Sequence, residues 1–154
     1  MSMTIASSAF EEGGRIPARH TCEGEDLSPP LAWSGAPEGA QSFVLLCDDP
    51  DAPAGTWRHW GVYDIPAEMT ALPEGFLFDP SGEGAREAIN DFRRPGYGGP
   101  CPPPGHGTHH YSFRLLALDT KRLAVGKSPR CEDVEAAARA HILAEAETVG
   151  TYSR

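Results

Sequence analysis

The stretch "GPCPPPGHGTHHYSFRLLALD", Gly99 to Asp119, changes character halfway along. Its first part is a run of prolines and glycines carrying His106, His109 and His110; its second part is aromatic and aliphatic. Proline fixes φ, and glycine lets the backbone turn sharply or pass close to another group, so the first part reads as a stiff loop. Tyr111 to Asp119 reads as a core strand, rich in residues that fit a pleated, buried surface. On the approach to that strand His109 and Tyr111 fall on one face and His110 on the other. Histidines set this way suit metal ligation, acid–base chemistry or anion binding, or are incidental surface residues. The rest of the chain has to separate these.

Outward from this stretch the strand candidates are short. "MTIASSAF" opens the chain, "LAW" follows the turn "LSPP", and "HWGVYDI" mixes aromatic and β-branched positions. "SFVLLCD" is nearly continuous in apolar residues, as a strand buried on both faces should be. Seventeen glycines and fifteen prolines among 154 residues favour many loops over a helical bundle. Asp64 to Tyr111 reads mostly as loop, with a short helix at "AREAIND" and disorder around "DPSGEGA". The one long helix is predicted over "SPRCEDVEAAARAHILAEAE", with Ser128 as N-cap and Pro129 in the first helical position. Val134, Ala137, Ala138, His141 and Ile142 recur there at helical spacing, and Gly150 ends the pattern. The order predicts a mostly antiparallel β domain with peripheral helices, one domain over 1–154.

The totals exclude several functions. Thirteen Lys and Arg against 22 Asp and Glu give a formal charge of −9, and "FRRP" is the densest basic spot, so nucleic acid is not an expected partner. No stretch approaches the roughly 20 apolar residues of a membrane span. The start, "MSMTIASSAF", has neither the basic head nor the apolar run of a secretory signal, so a cytoplasmic protein is expected. The four cysteines follow no C-x-x-C spacing. Cys47 reads as a buried core thiol. Cys22 and Cys101 lie in loops where a disulfide is open to them, but for a cytoplasmic chain free thiols are the expectation.

Two more segments carry chemistry. In "CDDPDAPAGTW", Cys47 to Trp57, an apolar strand ends in Asp48, Asp49 and Asp51, stiffened by Pro50 and Pro53. The plain alternative is an ordinary Asp–Pro turn. In "WRHWGVYDIP", Trp57 and His59 lie two apart and share a face if the strand starts there, making a pocket wall or a structural strand end. His59, His109 and an Asp could supply metal ligands, but no H-E-x-x-H or similar spacing supports this. A hydrolase would use the same His and Asp residues as acid and base. It lacks a G-x-S-x-G elbow, and Cys101 is the one candidate nucleophile nearby.

"DPDAP" (Asp49 to Pro53), "WRHW" (Trp57 to Trp60) and "GPCPPPGHGTHHYSF" in that order resemble the phosphatidylethanolamine-binding (Raf kinase inhibitor-like) family. "IPARHTCEGEDLSPPLAWSGAPEGAQSFVLL" and "HILAEAETVGTYSR" resemble its bacterial and archaeal branch, and the resemblance runs from about Phe10 to Arg154. It implies a central antiparallel sheet backed by a smaller sheet, with peripheral helices including a C-terminal one. It also implies a small anion pocket formed by Asp49, Asp51, Trp57, His59, Pro103, His109 and Tyr111. The family's usual Arg after the pocket histidine is His110 here. By strand alternation His110 faces away from the pocket, and it supports the acidic loop electrostatically only when protonated. His106 is expected to be exposed and incidental.

Such a pocket suits a phosphoryl group: imidazole N–H and phenol O–H donate to its oxygens, and Asp49 orients one imidazole. The implied function is non-enzymatic binding of a small anionic or phosphorylated ligand, with no cofactor. The resemblance also admits a protease or kinase partner. A dimeric scaffold with a vestigial pocket is a third reading, the Ala-rich "EAAARAHILAEAE" packing on its own sheet or on a second subunit.

Overall fold

The computed structural model describes residues 2–79, 81 and 83–154; Pro80 and Gly82, inside the stretch read as disordered, lie outside these. The described strands are β1 (Thr4–Ala6), β2 (Leu31–Ser34), β3 (Ser42–Asp49), β4 (Trp57–Pro66), β5 (Ala71–Leu72), β6 (Arg86–Glu87), β7 (His109–Leu118) and β8 (Ile142–Tyr152), with one α-helix, α1 (Cys131–Ala138). They form a small sheet in the order β1-β2-β5 and a large one in the order β6-β4-β3-β7-β8. Every pairing within both sheets is antiparallel. This is the mostly β architecture that the strand pattern predicts.

β3 is buried at every residue because both of its faces are covered. Phe43, Leu45 and Cys47 point into a core shared with Ile5, Leu31, Trp33 and Leu72 of the small sheet. Val44 and Leu46 point the other way, into a core shared with Cys131, Val134 and Ala138 of α1. Each such aliphatic or aromatic side chain gains about 1.5–3 kcal/mol on burial. Gly61 lets α1 lie close on β4: a Cβ there would sit 2.9 Å from the Cys131 sulfur.

The C-terminal helix is shorter than the sequence pattern predicts, and its second half is a strand. α1 ends at Ala138, a 3-10 turn follows at Arg139–His141, and Ile142–Tyr152 pairs with β7 along its length. Ala and Glu favour helix locally, but ten paired positions with β7 override that propensity. In this strand Ala146, Thr148, Gly150 and Tyr152 are buried at period two. The helix start also differs from the prediction. The Ile89 amide donates to the Pro129 carbonyl, and the Cys131 amide donates to the Ile89 carbonyl. This pairing holds Pro129 and Arg130 extended, so the helix begins at Cys131, where the Asp133 carboxylate accepts the Arg130 amide at 2.9 Å. The predicted helix at "AREAIND" is instead the edge strand β6, paired with Val62 and Tyr63.

Cys22 and Cys101 form a disulfide, which corrects the expectation of free thiols, while Cys47 and Cys131 are free and buried. The bond ties the loop after Ala18–His20 to the proline loop before β7. Around it the Cys22 amide donates to the Pro100 carbonyl, the Gly99 amide to Asp26 and the Tyr97 hydroxyl to the His20 carbonyl. Gly99 is needed there: a Cβ would lie 2.2 Å from the His20 carbonyl oxygen. With the cysteines 79 positions apart in sequence, Cys101→Ser should cost about 2–5 kcal/mol in urea unfolding. A loss well under 1 kcal/mol would mean that the surrounding hydrogen bonds hold the loop without the covalent link.

Candidate functional site

The three chemistry-bearing segments meet at one end of the large sheet. β3 ends in Asp48 and Asp49, which lie on opposite faces because a pleated strand alternates. Asp49 follows Cys47 onto the face covered by the small sheet. Asp48 goes to the α1 face, where Arg114 reaches it at 2.8 Å and Arg58 at 3.3 Å. Both arginines also pair with Glu135 of α1, Arg114 at 3.1 Å. On β4 the register slips between Cys47 and Asp48: Cys47 pairs with Trp60 but Asp48 with Arg58. His59 is thus the extra residue of a β-bulge, and bulges re-aim side chains. Trp57, His59 and Trp60 therefore all point to the small-sheet side, so the shared face expected for Trp57 and His59 is reached through a bulge.

A cavity of about 200 Å³ opens here, lined by Asp49, Ala52, Pro53, Trp57, His59, Phe92, Cys101, Pro102, Pro103, His109 and Tyr111. Six of the seven residues the sequence singled out line it. The seventh, Asp51, is half-exposed outside it and accepts both the amide and the ring N–H of His110, each at 2.8 Å. Those bonds hold the Asp51 carboxyl below its ordinary range. His110 faces away from His109, as alternation requires, and braces the acidic loop.

The inner polar groups are tightly assigned. Asp49 accepts the Asp51 amide on one oxygen at 2.8 Å and the His109 Nδ1–H on the other at 2.6 Å. His109 Nε2 lies 2.7 Å from His106 Nδ1. His106 is exposed, as expected, but it is not incidental: it closes an Asp49–His109–His106 chain in which both His109 nitrogens are engaged. His59 Nδ1 lies 2.6 Å from the Gly98 carbonyl oxygen, which can only accept, so the proton sits on Nδ1. Burial pushes the His59 pKa down, and burial together with the nearby Asp49 carboxylate pushes the Tyr111 phenol up. Tyr111 is thus a neutral O–H donor. Its hydroxyl and the Trp57 indole N–H are buried without a protein partner.

Phe92, from the "FRRP" stretch, was not legible as a site residue. It packs edge-on to Trp57 and His59, with ring centres 5.4 and 5.5 Å apart. The turn that aims it is held by Asn90, whose side chain accepts the Phe92 amide. Cys101 lines the cavity as half of the disulfide, so it is not the free thiol that the hydrolase reading needs. Among the described residues no group of three or more His, Cys, Asp or Glu is arranged to hold a metal ion.

The depressed His59 pKa has a stability consequence. The unfolded histidine binds its proton first as pH falls, so the contribution is complete above about pH 6.5 and is lost below it. Melting temperature should therefore drop between about pH 7 and pH 5, and His59→Asn, which keeps a donor for Gly98, should flatten part of that slope. An identical slope in the variant would place the titration on another histidine.

The family model for phosphatidylethanolamine-binding protein matches residues 6–153. A protein of Aquifex aeolicus designated UPF0098 is 47% identical over 152 residues, spanning 99% of this chain and 89% of its own. Among solved structures, YbcL of Escherichia coli, described as a member of the mammalian PEBP family, superposes with a TM-score of 0.92 at 36% identity, covering 100% of this chain and 99% of its own. The putative PEBP homologue CT736 of Chlamydia trachomatis gives 0.89 at 36% identity, with 99% and 98% covered. No helix of the described residues is long and apolar enough to cross a membrane. The chain belongs to the phosphatidylethanolamine-binding protein family.

Proposed function

We propose that this protein binds a small anionic ligand, with a phosphoryl group as the fitting chemistry, in the cavity at the end of the large sheet. One observation carries the reading: the Tyr111 hydroxyl and the Trp57 indole N–H are buried and unpartnered, and both residues line the same cavity. An unmet buried donor costs about 1–3 kcal/mol, a cost that an accepting oxygen in the cavity removes. The remaining wall is apolar, from Ala52, Pro53, Phe92, Pro102 and Pro103, and suits whatever short group the anion carries. At about 200 Å³ the space fits a headgroup and not a lipid tail.

The reading is binding and not catalysis. No serine, threonine or lysine is among the lining residues, and the one cysteine is oxidised. The proposed roles follow the hydrogen bonds. Trp57 and Tyr111 donate, Asp49 and His109 fix the floor, Pro103 forms the rim, and Asp51 with His110 supports the loop from outside. Histidine ring resonances followed by NMR while inorganic phosphate is added to millimolar levels test this. The His59 and His109 signals should shift and saturate, and Tyr111→Phe should weaken the apparent affinity by about 10–100-fold, as loss of a hydrogen bond to a charged group predicts. Ring signals that stay still throughout the titration would refute the proposal.

A further inference from the structure

On the proposed reading the cavity takes an anion without a fixed cation in its lining. Its lining contains neither Lys nor Arg, and it does contain the buried carboxylate Asp49. A dianion against that carboxylate would meet like charge in a poorly solvated space, where electrostatic interactions are strong. The site must discriminate by hydrogen-bond pattern more than by charge.

That pattern can be read off. Both Asp49 oxygens and both His109 nitrogens are engaged, as described above. Among the lining side chains Trp57 Nε1 and Tyr111 Oη are buried without a protein partner, and His59 bonds through Nδ1, which leaves its Nε2 uncommitted. The indole is a donor only, and the phenol is a donor able also to accept. His59 Nε2 is different. Because Nδ1 carries the proton given to the Gly98 carbonyl, Nε2 of the neutral ring is a lone pair. Burial of His59 favours that neutral ring. A complementary ligand thus offers accepting oxygens to Trp57 and Tyr111, and one O–H to His59.

We propose that the cavity selects the singly protonated form of a phosphate monoester, its P–OH donating to His59 Nε2 and its other oxygens accepting from Trp57 and Tyr111. The proposal rests on the anion-binding reading and adds which anion and which protonation state. A sulfate ester has the same shape and a single charge but no proton to give, so the site should refuse it. The same logic separates proton-bearing from proton-free tetrahedral oxyanions generally. A buried acceptor left facing an oxygen lone pair is penalised as heavily as any unmet polar group.

Other titratable groups around the cavity bear on the pH response. These are Asp49 on β3, His59 on β4, His109 and Tyr111 on β7, and His106 on the proline loop. Asp51 and His110 lie outside it, and Arg154 donates to the Pro102 carbonyl at the rim. A phosphate monoester loses its second proton near pH 6, so the competent monoanion becomes scarce above neutrality while a sulfate ester does not change.

Calorimetric titration of the intact protein with methyl phosphate and methyl sulfate at pH 6 and pH 8 tests this. Methyl phosphate should bind at least about tenfold more tightly than methyl sulfate at pH 6, the scale of one mismatched buried hydrogen bond. Its affinity should fall on the order of fiftyfold by pH 8, tracking the monoanion fraction for a second pKa of about 6. Equal binding of the two esters at pH 6, or tighter methyl phosphate binding at pH 8, overturns the proposal and leaves the anion-binding reading standing. Failure of both esters to bind at either pH overturns both. Nitrogen-15 shifts of the free protein give a separate check: a His59 ring protonated at Nε2 at pH 7 would also overturn the proposal.

Discussion

Successive side chains of a pleated strand point to opposite faces, and at the end of β3 this rule falls on two adjacent carboxylates. Asp49 is sent under the small sheet, where it orients His109. Asp48 is sent to the α1 face, where two arginines and Glu135 receive it. Neither carboxylate could change places with the other. A one-residue slip of β3 would aim Asp48 at the cavity and leave Asp49 facing Arg58 and Arg114, and it would also invert Phe43 through Cys47 between the two cores. The two hydrophobic cores thus set the register, and the register builds the site. The β-bulge at His59 departs from that alternation at the site, and it brings a third strand's histidine onto the same side.

The rest of the wall comes from loops, which need other restraints. The segment from Tyr97 to Pro103 is held to the segment from His20 to Asp26 by the disulfide and by hydrogen bonds through Tyr97, Gly99 and Cys22. Gly98 takes part in both. Its carbonyl accepts from His59 and its amide donates to the His59 carbonyl, so the loop backbone chooses the tautomer of a strand residue. The disulfide is therefore coupled to the hydrogen-bonding character of the cavity as well as to stability.

Much of this was legible in the sequence, because binary patterning is a local signal. "SFVLLCD" announced a doubly buried strand, and the alternation of His109, His110 and Tyr111 was readable before any contact was known. What was not legible depends on distant partners. Ala and Glu in "ILAEAE" have helical propensity, and only the ladder to β7 makes them a strand. The thiols of Cys22 and Cys101, separated by 79 positions, are brought together by the fold. His106 looked like a spare loop histidine because its partner, His109 Nε2, was assigned to ligand. Phe92 enters the cavity through a turn whose Arg93 has a positive φ, a conformation that nothing in "FRRP" signals.

For the anion proposed above, a lining without Lys or Arg has a consequence. Lysine or arginine would attract any anion from a distance and bind it with little regard to its protonation state. Here the free donors are an indole and a phenol, and the histidine N–H groups are already committed to Gly98 and Asp49. Bare inorganic anions gain little beyond a few hydrogen bonds, since water offers the same bonds outside. Affinity must then come from whatever is attached to the anion, laid against Phe92, Pro53, Pro102 and Pro103 at roughly 25 cal/mol for each Å² of apolar surface covered. On the proposed reading, polar atoms decide which head is admitted, and the apolar rim decides how tightly its bearer stays. A ligand lacking either part should bind weakly, which fits a net-negative protein whose overall field repels anions.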